Sequence, residues 1–110
     1  MANSAIEFFT FHDGTTTVSN GNLMDVEQLS NIMNVFFKTT GTFTVIFEGQ
    51  IEYQGDFYPV PAVNLSSMTF GTTASDATGI YQIDLTGWSY IRCRVSAITG
   101  SLTCKSKVVS

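Results

Sequence analysis

The sequence predicts an all-β fold, a single-domain antiparallel β-sandwich of jelly-roll or immunoglobulin-like type, and three observations carry that prediction. The chain has 110 residues, enough for one hydrophobic core and too few for two. Ser and Thr together number 26 while Ala, Lys and Glu are sparse, a balance that suits pleated surfaces better than helices. Nine glycines, mostly beside Asp, Asn, Thr or Ser, cut the chain into pieces of about strand length, the punctuation of a sandwich or barrel. With 44% apolar residues, 13% charged residues and 14 aromatics, the chain is also too greasy for intrinsic disorder.

Residues 1–110 read as one domain, with 1–20 an N-terminal extension or hairpin used in assembly. Glu7 to Phe11 forms one strand, the Asp13-Gly14 pair a turn, and Thr15 to Ser19 the return. Asn22 to Phe37 admits two readings. Leu23, Val26, Leu29, Met33 and Phe36 recur at helical spacing behind an Asn22 cap, whereas Ile32, Val35, Phe36 and Phe37 are strand formers. Two strands broken near Gln28 to Ser30 is the reading taken, with a helix as the alternative. Thr42 to Glu48 is apolar on both faces, as a central strand requires. Pro59 and Pro61 make Tyr53 to Asn64 a loop or an edge, because each proline removes a ladder donor. Gly79 to Leu85 alternates, with Ile80 and Gln82 opposed to Tyr81, Ile83 and Leu85. Trp88 to Ala97 and Ser101 to Val109 complete the set, joined at Ile98, Thr99 and Gly100 as a hairpin.

Charge and motif content narrow the function. Five Lys plus Arg against nine Asp plus Glu give a net charge of −4, the wrong sign for holding phosphates, so no nucleic-acid partner is expected. No window approaches the roughly 18 apolar residues of a membrane helix, and Met1 to Ile6 lacks a cationic leader, so no membrane partner or export signal is expected and synthesis in the cytoplasm fits. The expectation for cofactors and metals is none: there is no CxxC, no Cys/His cluster, no phosphate loop and no EF-hand spacing. His12 is the sole imidazole, no GxSxG elbow accompanies it, and neither Glu48 with Glu52 nor Asp25 with Glu27 is placed across a cleft by any pattern. A chain without enzymatic activity is the expectation.

The last two strands are more informative. Period-two reading puts Ile91, Cys93, Val95 and Ala97 on one face and Tyr90, Arg92 and Arg94 on the other. Leu102, Cys104 and Val108 oppose Thr103, Lys105 and Lys107 in the same way. With the apolar faces inward, a hairpin would gather Arg92, Arg94, Lys105 and Lys107, four of five cations, into one basic patch suited to an acidic partner; protection of a sheet edge is the alternative. Its register would set Arg92 opposite Lys105 and Cys93 opposite Cys104, the cysteines pointing inward as reduced thiols in preference to a cross-strand disulfide. Tyr53, Phe57 and Tyr58 lie in the Gly- and Pro-containing stretch as candidate glycan or interface aromatics. Trp88 is assigned to the core.

From Asn20 to Ser110 the order of features resembles a family of small β-sandwich modules in tailed-bacteriophage structural proteins. The matching pieces are Gly21-Asn22-Leu23 with Asp25-Val26, Thr42 to Phe47 ending in Phe47-Glu48-Gly49, Tyr58-Pro59-Val60-Pro61, Gly79 to Gly87, and Ile91 to Ser96 closed by Thr99-Gly100-Ser101. Gln50 and Gln54-Gly55-Asp56 depart from the serine and the DG turn usual there, and Tyr58 stands where those modules carry a Trp. The resemblance implies a virion component made in the host cytoplasm. A capsid decoration or cement protein, or a head–tail accessory, docking on capsid or tail proteins as a symmetric homo-oligomer, leads; a carbohydrate- or receptor-binding module of a tail or fibre is the alternative. Ile6, Phe8, Phe9 and Phe11 precede the matched region and pack either on a neighbour or in the core.

Overall fold

The structure is a computed structural model and describes residues 7–29 and 31–109. Among them there is no helix. The strands are β1 (Glu7–Thr15), β2 (Met24–Asp25), β3 (Ile32–Thr39), β4 (Phe43–Gln50), β5 (Phe57–Pro59), β6 (Ala62–Asn64), β7 (Thr69–Gly71), β8 (Thr73–Ala74), β9 (Tyr81–Asp84), β10 (Tyr90–Ile98) and β11 (Leu102–Val109). They form two antiparallel sheets, one ordered β1-β11-β3-β9-β6-β7 and the other β2-β10-β4-β5 with β8 also on β4. Together they make a β-sandwich. The stretch Asn22 to Phe37 supplies two strands, as preferred, since β-branched and aromatic residues find cross-strand partners that an exposed helix would not give them. Pro59 ends β5, an edge strand where its missing donor costs no ladder bond.

Alternation decides which side chains fill the space between the sheets. Met33, Val35 and Phe37 of β3, Phe43, Val45 and Phe47 of β4, and Ile91, Cys93 and Val95 of β10 all point inward and are buried. Aromatic rings tie one sheet to the other: Phe37 lies 4.9 Å from Phe43 between ring centroids, and Tyr81 lies 5.6 Å from Phe47. Phe11 belongs to this core, Phe9 packs edge-on to it at 4.8 Å, and Phe8 points to solvent. Ile6 lies outside the described residues. Trp88 is half-buried and packs against the core.

The chain's last two strands do not pair with each other. β10 pairs with β4 in one sheet, β11 pairs with β1 and β3 in the other, and residues 99–101 are an arch between sheets. A second arch, residues 40–42 between β3 and β4, runs beside it. Thr99 N–H donates to the Thr42 carbonyl at 2.8 Å, Thr40 N–H to the Ser101 carbonyl at 3.1 Å, and Ser101 N–H to Thr40 Oγ1 at 3.0 Å. Two apolar strand faces joined by a short loop can be buried by folding against each other as well as by lying side by side against a third element. Here the twin arch satisfies the loop backbone and the first solution wins. Cys93 and Cys104 are therefore buried as free thiols on facing sheets and are not paired across a ladder.

The N-terminal hairpin is a second correction. Asp13-Gly14 lies within β1, whose register against β11 shifts between Thr10 and His12 and again between His12 and Thr15. Phe11 and His12 both point inward, the mark of a bulge, and Gly14 at φ +68° accommodates the irregular backbone. Thr15 to Ser19 returns no strand; Ser19 makes an isolated bridge to Val95 as the chain crosses to the other sheet. Asn22 caps no helix and instead donates from its side-chain amide to the Thr10 carbonyl at 3.0 Å.

Candidate functional site

The arch places the four selected cations on two opposite outer faces. Arg92 and Arg94 stand on the five-stranded sheet, Lys105 and Lys107 on the six-stranded sheet, and the single basic patch does not form. The alternation that sent all four outward is correct, but strand faces do not specify strand partners.

On the five-stranded face, Glu48 of β4 sits directly opposite Arg92 and diagonally from Arg94. Arg92 donates from Nε to Glu48 Oε1 at 2.9 Å, and Arg94 donates from Nε to Oε1 at 3.0 Å and from Nη2 to Oε2 at 3.2 Å. The Arg92 guanidinium covers the Phe57 ring at 3.5 Å from its centroid. Burial opposes ionisation of Glu48, but the hydrogen bonds and charges of Arg94 and Arg92 outweigh it and hold the carboxyl below its ordinary value. Glu48 raises Arg94 in return. This cluster is one positive charge in excess, held rigid by a shared carboxylate and a ring.

The three selected aromatics do not form one platform. Phe57 and Tyr58 are neighbours on β5 and point to opposite faces. Phe57 is taken up by Arg92, and Tyr53 stacks on Tyr90 at 5.7 Å. Burial and the carboxylates of Glu27 and Asp25 push the Tyr90 phenol up, so that end of the sandwich is acidic. Tyr58 is 50% exposed and lines a cleft of about 420 Å³ with Ile51, Glu52, Gly55 and Asp56.

The outer face of the six-stranded sheet is of another kind. Cross-strand partners set Phe8, Lys107, Asn34, Gln82, Val63 and Phe70 in one row across all six strands. Phe8 is 66% and Phe70 80% exposed, and Lys107 Nζ lies 5.5 Å from the Phe8 ring. Gln82 donates to Asn34 Oδ1 at 3.2 Å in the middle of the row. Ile32, Phe36, Lys38 and Lys105 flank it and are exposed. Ile32, Pro61, Val63 and Phe70 line a shallow groove of about 180 Å³. Among the described residues no carboxylate pairs with Lys38, Lys105 or Lys107. Sequence reasoning selected Lys105 and Lys107 but missed Lys38, Ile32, Phe36 and Phe70. The even-numbered alternation of Ile32, Asn34, Phe36 and Lys38 was the available signal, hidden while a helix competed for the same stretch.

His12 is buried, with Nδ1 3.0 Å from Thr15 Oγ1 and Nε2 on the Cys93 carbonyl of the opposite sheet. A carbonyl only accepts, so Nε2 donates to it, and Nδ1 accepts from the Thr15 hydroxyl when the ring is neutral. No group of three or more His, Cys, Asp or Glu suited to a metal occurs among the described residues.

Fold and surface together define a β-sandwich module with two dissimilar outer faces, one bearing an arginine–carboxylate cluster and the other lysines among exposed rings. The chain belongs to the XepA family, whose model matches residues 5–108. No curated protein matches it. Among solved structures it is similar to the SPBc2 prophage-derived protein YomS, with a TM-score of 0.88 and 22% identity over 96% of this chain and 93% of that one. It is similar also to the PBSX exported protein XepA, with a TM-score of 0.89 and 22% identity over 100% of this chain and 40% of that one. The chain thus spans less than half of that XepA chain, and at this identity the likeness shows the fold.

Proposed function

We propose that this chain is a non-enzymatic structural accessory protein of a phage particle, which docks on capsid or tail proteins as symmetric copies through the outer face of its six-stranded sheet. The observation that carries the reading is the row from Phe8 to Phe70 with Lys38 and Lys105 beside it: large apolar side chains left in water beside unpaired lysines fit an acidic protein surface with apolar contacts. The prophage origin of YomS supports a phage setting, and the description of XepA as exported supports a place outside the cell. His12, the sole imidazole, is buried at 2% exposure with no open face toward a substrate, which supports the absence of turnover. Mass-spectrometric detection and immunogold labelling of purified particles test it: stoichiometric label at one position on the particle is expected, and a chain found only free in the lysate overturns the proposal.

A carbohydrate-binding role is the second reading, favoured by the half-exposed Tyr58 ring beside Glu52 and Asp56 in the larger cleft. Glycan-array binding that disappears in Tyr58→Ala, together with no stable association with particles, would select it over docking.

A further inference from the structure

Resting on the docking reading above, we propose that the outer face of the six-stranded sheet is divided into an apolar anchor and a lysine guide, and that its occupant is a virion-protein surface with an apolar ridge bordered by carboxylates on one side only. Towards β7 the face is apolar. Val63 and Phe70 are cross-strand partners there, Ile32 begins β3, Pro61 precedes β6, and these four line the groove of about 180 Å³. Continued one residue past β9, the register that pairs Val35 with Tyr81 sets Ile80 opposite Phe36, and the Leu65 N–H donates to the Ile80 carbonyl at 2.9 Å. Ile32, Phe36, Phe70 and Ile80 are all exposed, a contiguous apolar area and not a scatter of single side chains.

Towards β1 the face is basic. Lys105 and Lys107 of β11 and Lys38 of β3 have no carboxylate partner among the described residues, and the Phe8 ring at that edge lies 5.5 Å from Lys107 Nζ. Lys107 and Val63 stand in one row three strands apart, roughly 14 Å at the usual strand spacing. Asp84, the cross-strand partner of Ile32, puts a carboxylate in the lining of the groove. An acidic border on the partner is therefore repelled at the groove and attracted at β11, which selects one orientation. The two halves act on different steps of association. Desolvated apolar contacts slow dissociation, whereas exposed charges at the rim speed encounter.

The test immobilises purified particles and follows association and dissociation of the native chain, a groove variant (Ile32→Thr/Phe70→Thr) and a lysine variant (Lys105→Glu/Lys107→Glu) at low and raised salt. Threonine keeps strand propensity at two exposed positions, and melting curves check that both variants fold. Expected for the groove variant is dissociation about ten-fold faster, with association little changed and no dependence of the effect on salt. Expected for the lysine variant is association about ten-fold slower, a deficit that shrinks as salt rises. A groove variant that dissociates at the native rate, or a lysine variant whose loss lies in dissociation, would overturn the division of the face while native retention upholds docking; a native chain that does not associate with particles would bring both down. Self-association in ultracentrifugation that the groove variant disperses would assign the anchor to a second copy. Retention on vesicles of phosphatidylcholine with phosphatidylglycerol, lost in the groove variant, would assign it to a lipid surface. Either result would overturn the proposal.

Discussion

Glu48 is the residue on which the five-stranded face turns. Its carboxylate accepts from two guanidinium groups and has a side chain only 14% exposed, so removing its charge leaves Arg92 and Arg94 facing a neutral acceptor. Glu48→Gln is expected to cost about 1.5–3 kcal/mol at neutral pH, read as a lower urea midpoint with an unchanged slope. The folded-state pKa lies below the ordinary 4.5, so the stabilisation is present above that value and is lost as pH falls through the folded-state value. Native and variant midpoints should therefore converge in acid; a constant gap down to low pH would mean that the carboxylate's charge is not what matters. His12 is the buried counterpart. His12→Ala opens a cavity and strands the Cys93 carbonyl, and a loss of roughly 2–4 kcal/mol is expected by thermal melting. A variant as stable as the native chain would contradict the bridging role of this ring.

The twin arch between sheets gives the element scale its test. A Cβ on Gly41 would fall within the van der Waals envelope of the Thr99 carbonyl oxygen, a backbone atom that cannot swing away. Gly41→Ala should thus push the two arches apart and destabilise by about 1–3 kcal/mol, whereas Gly14→Ala meets no neighbouring atom and is limited to the strain of its left-handed backbone. A chain indifferent to Gly41→Ala would show that the arches are not in close contact. These same arches mark where sequence reading stops. Alternation in Gly79 to Leu85 and the last two strands gives the strands and most of their inward residues, because burial on one face imposes a period of two; Ala97, read as inward, is exposed because the register against β4 shifts after Val95. Pairing is different information. Ile98 to Ser101 has the composition of a hairpin turn, and only its bonds to Thr40 and Thr42, over fifty residues away in sequence, make it a crossing. Asp13-Gly14 misleads for the same reason, since a bulge and a turn call for the same glycine. Glu48 reads from the sequence only as the end of a central strand and a carboxylate with no placed partner; its pairing with two arginines depends on β4 lying next to β10.

At the scale of the whole molecule, the sandwich separates charge that composition averages away. A net charge of −4 conceals a face where Lys38, Lys105 and Lys107 stand beside exposed rings, and an opposite face where Arg92 and Arg94 are tied to Glu48. Charge reversal should therefore have different consequences on the two sides. Lys105→Glu with Lys107→Glu alters exposed or half-exposed positions whose inward neighbours keep the core, so stability should change by less than about 1 kcal/mol. Retention on purified particles should fall roughly ten-fold at low ionic strength, as expected when attraction to an acidic surface becomes repulsion. Raising the salt should shrink that difference between native and reversed chains, because exposed charges are screened over about a Debye length. Arg92→Glu acts on the other face. It sets two carboxylates together beside Phe57 and should lower the melting temperature while leaving particle retention of the folded fraction unchanged. If retention instead falls with Arg92→Glu and not with the lysine pair, the docking face is the five-stranded sheet and the row from Phe8 to Phe70 has another use.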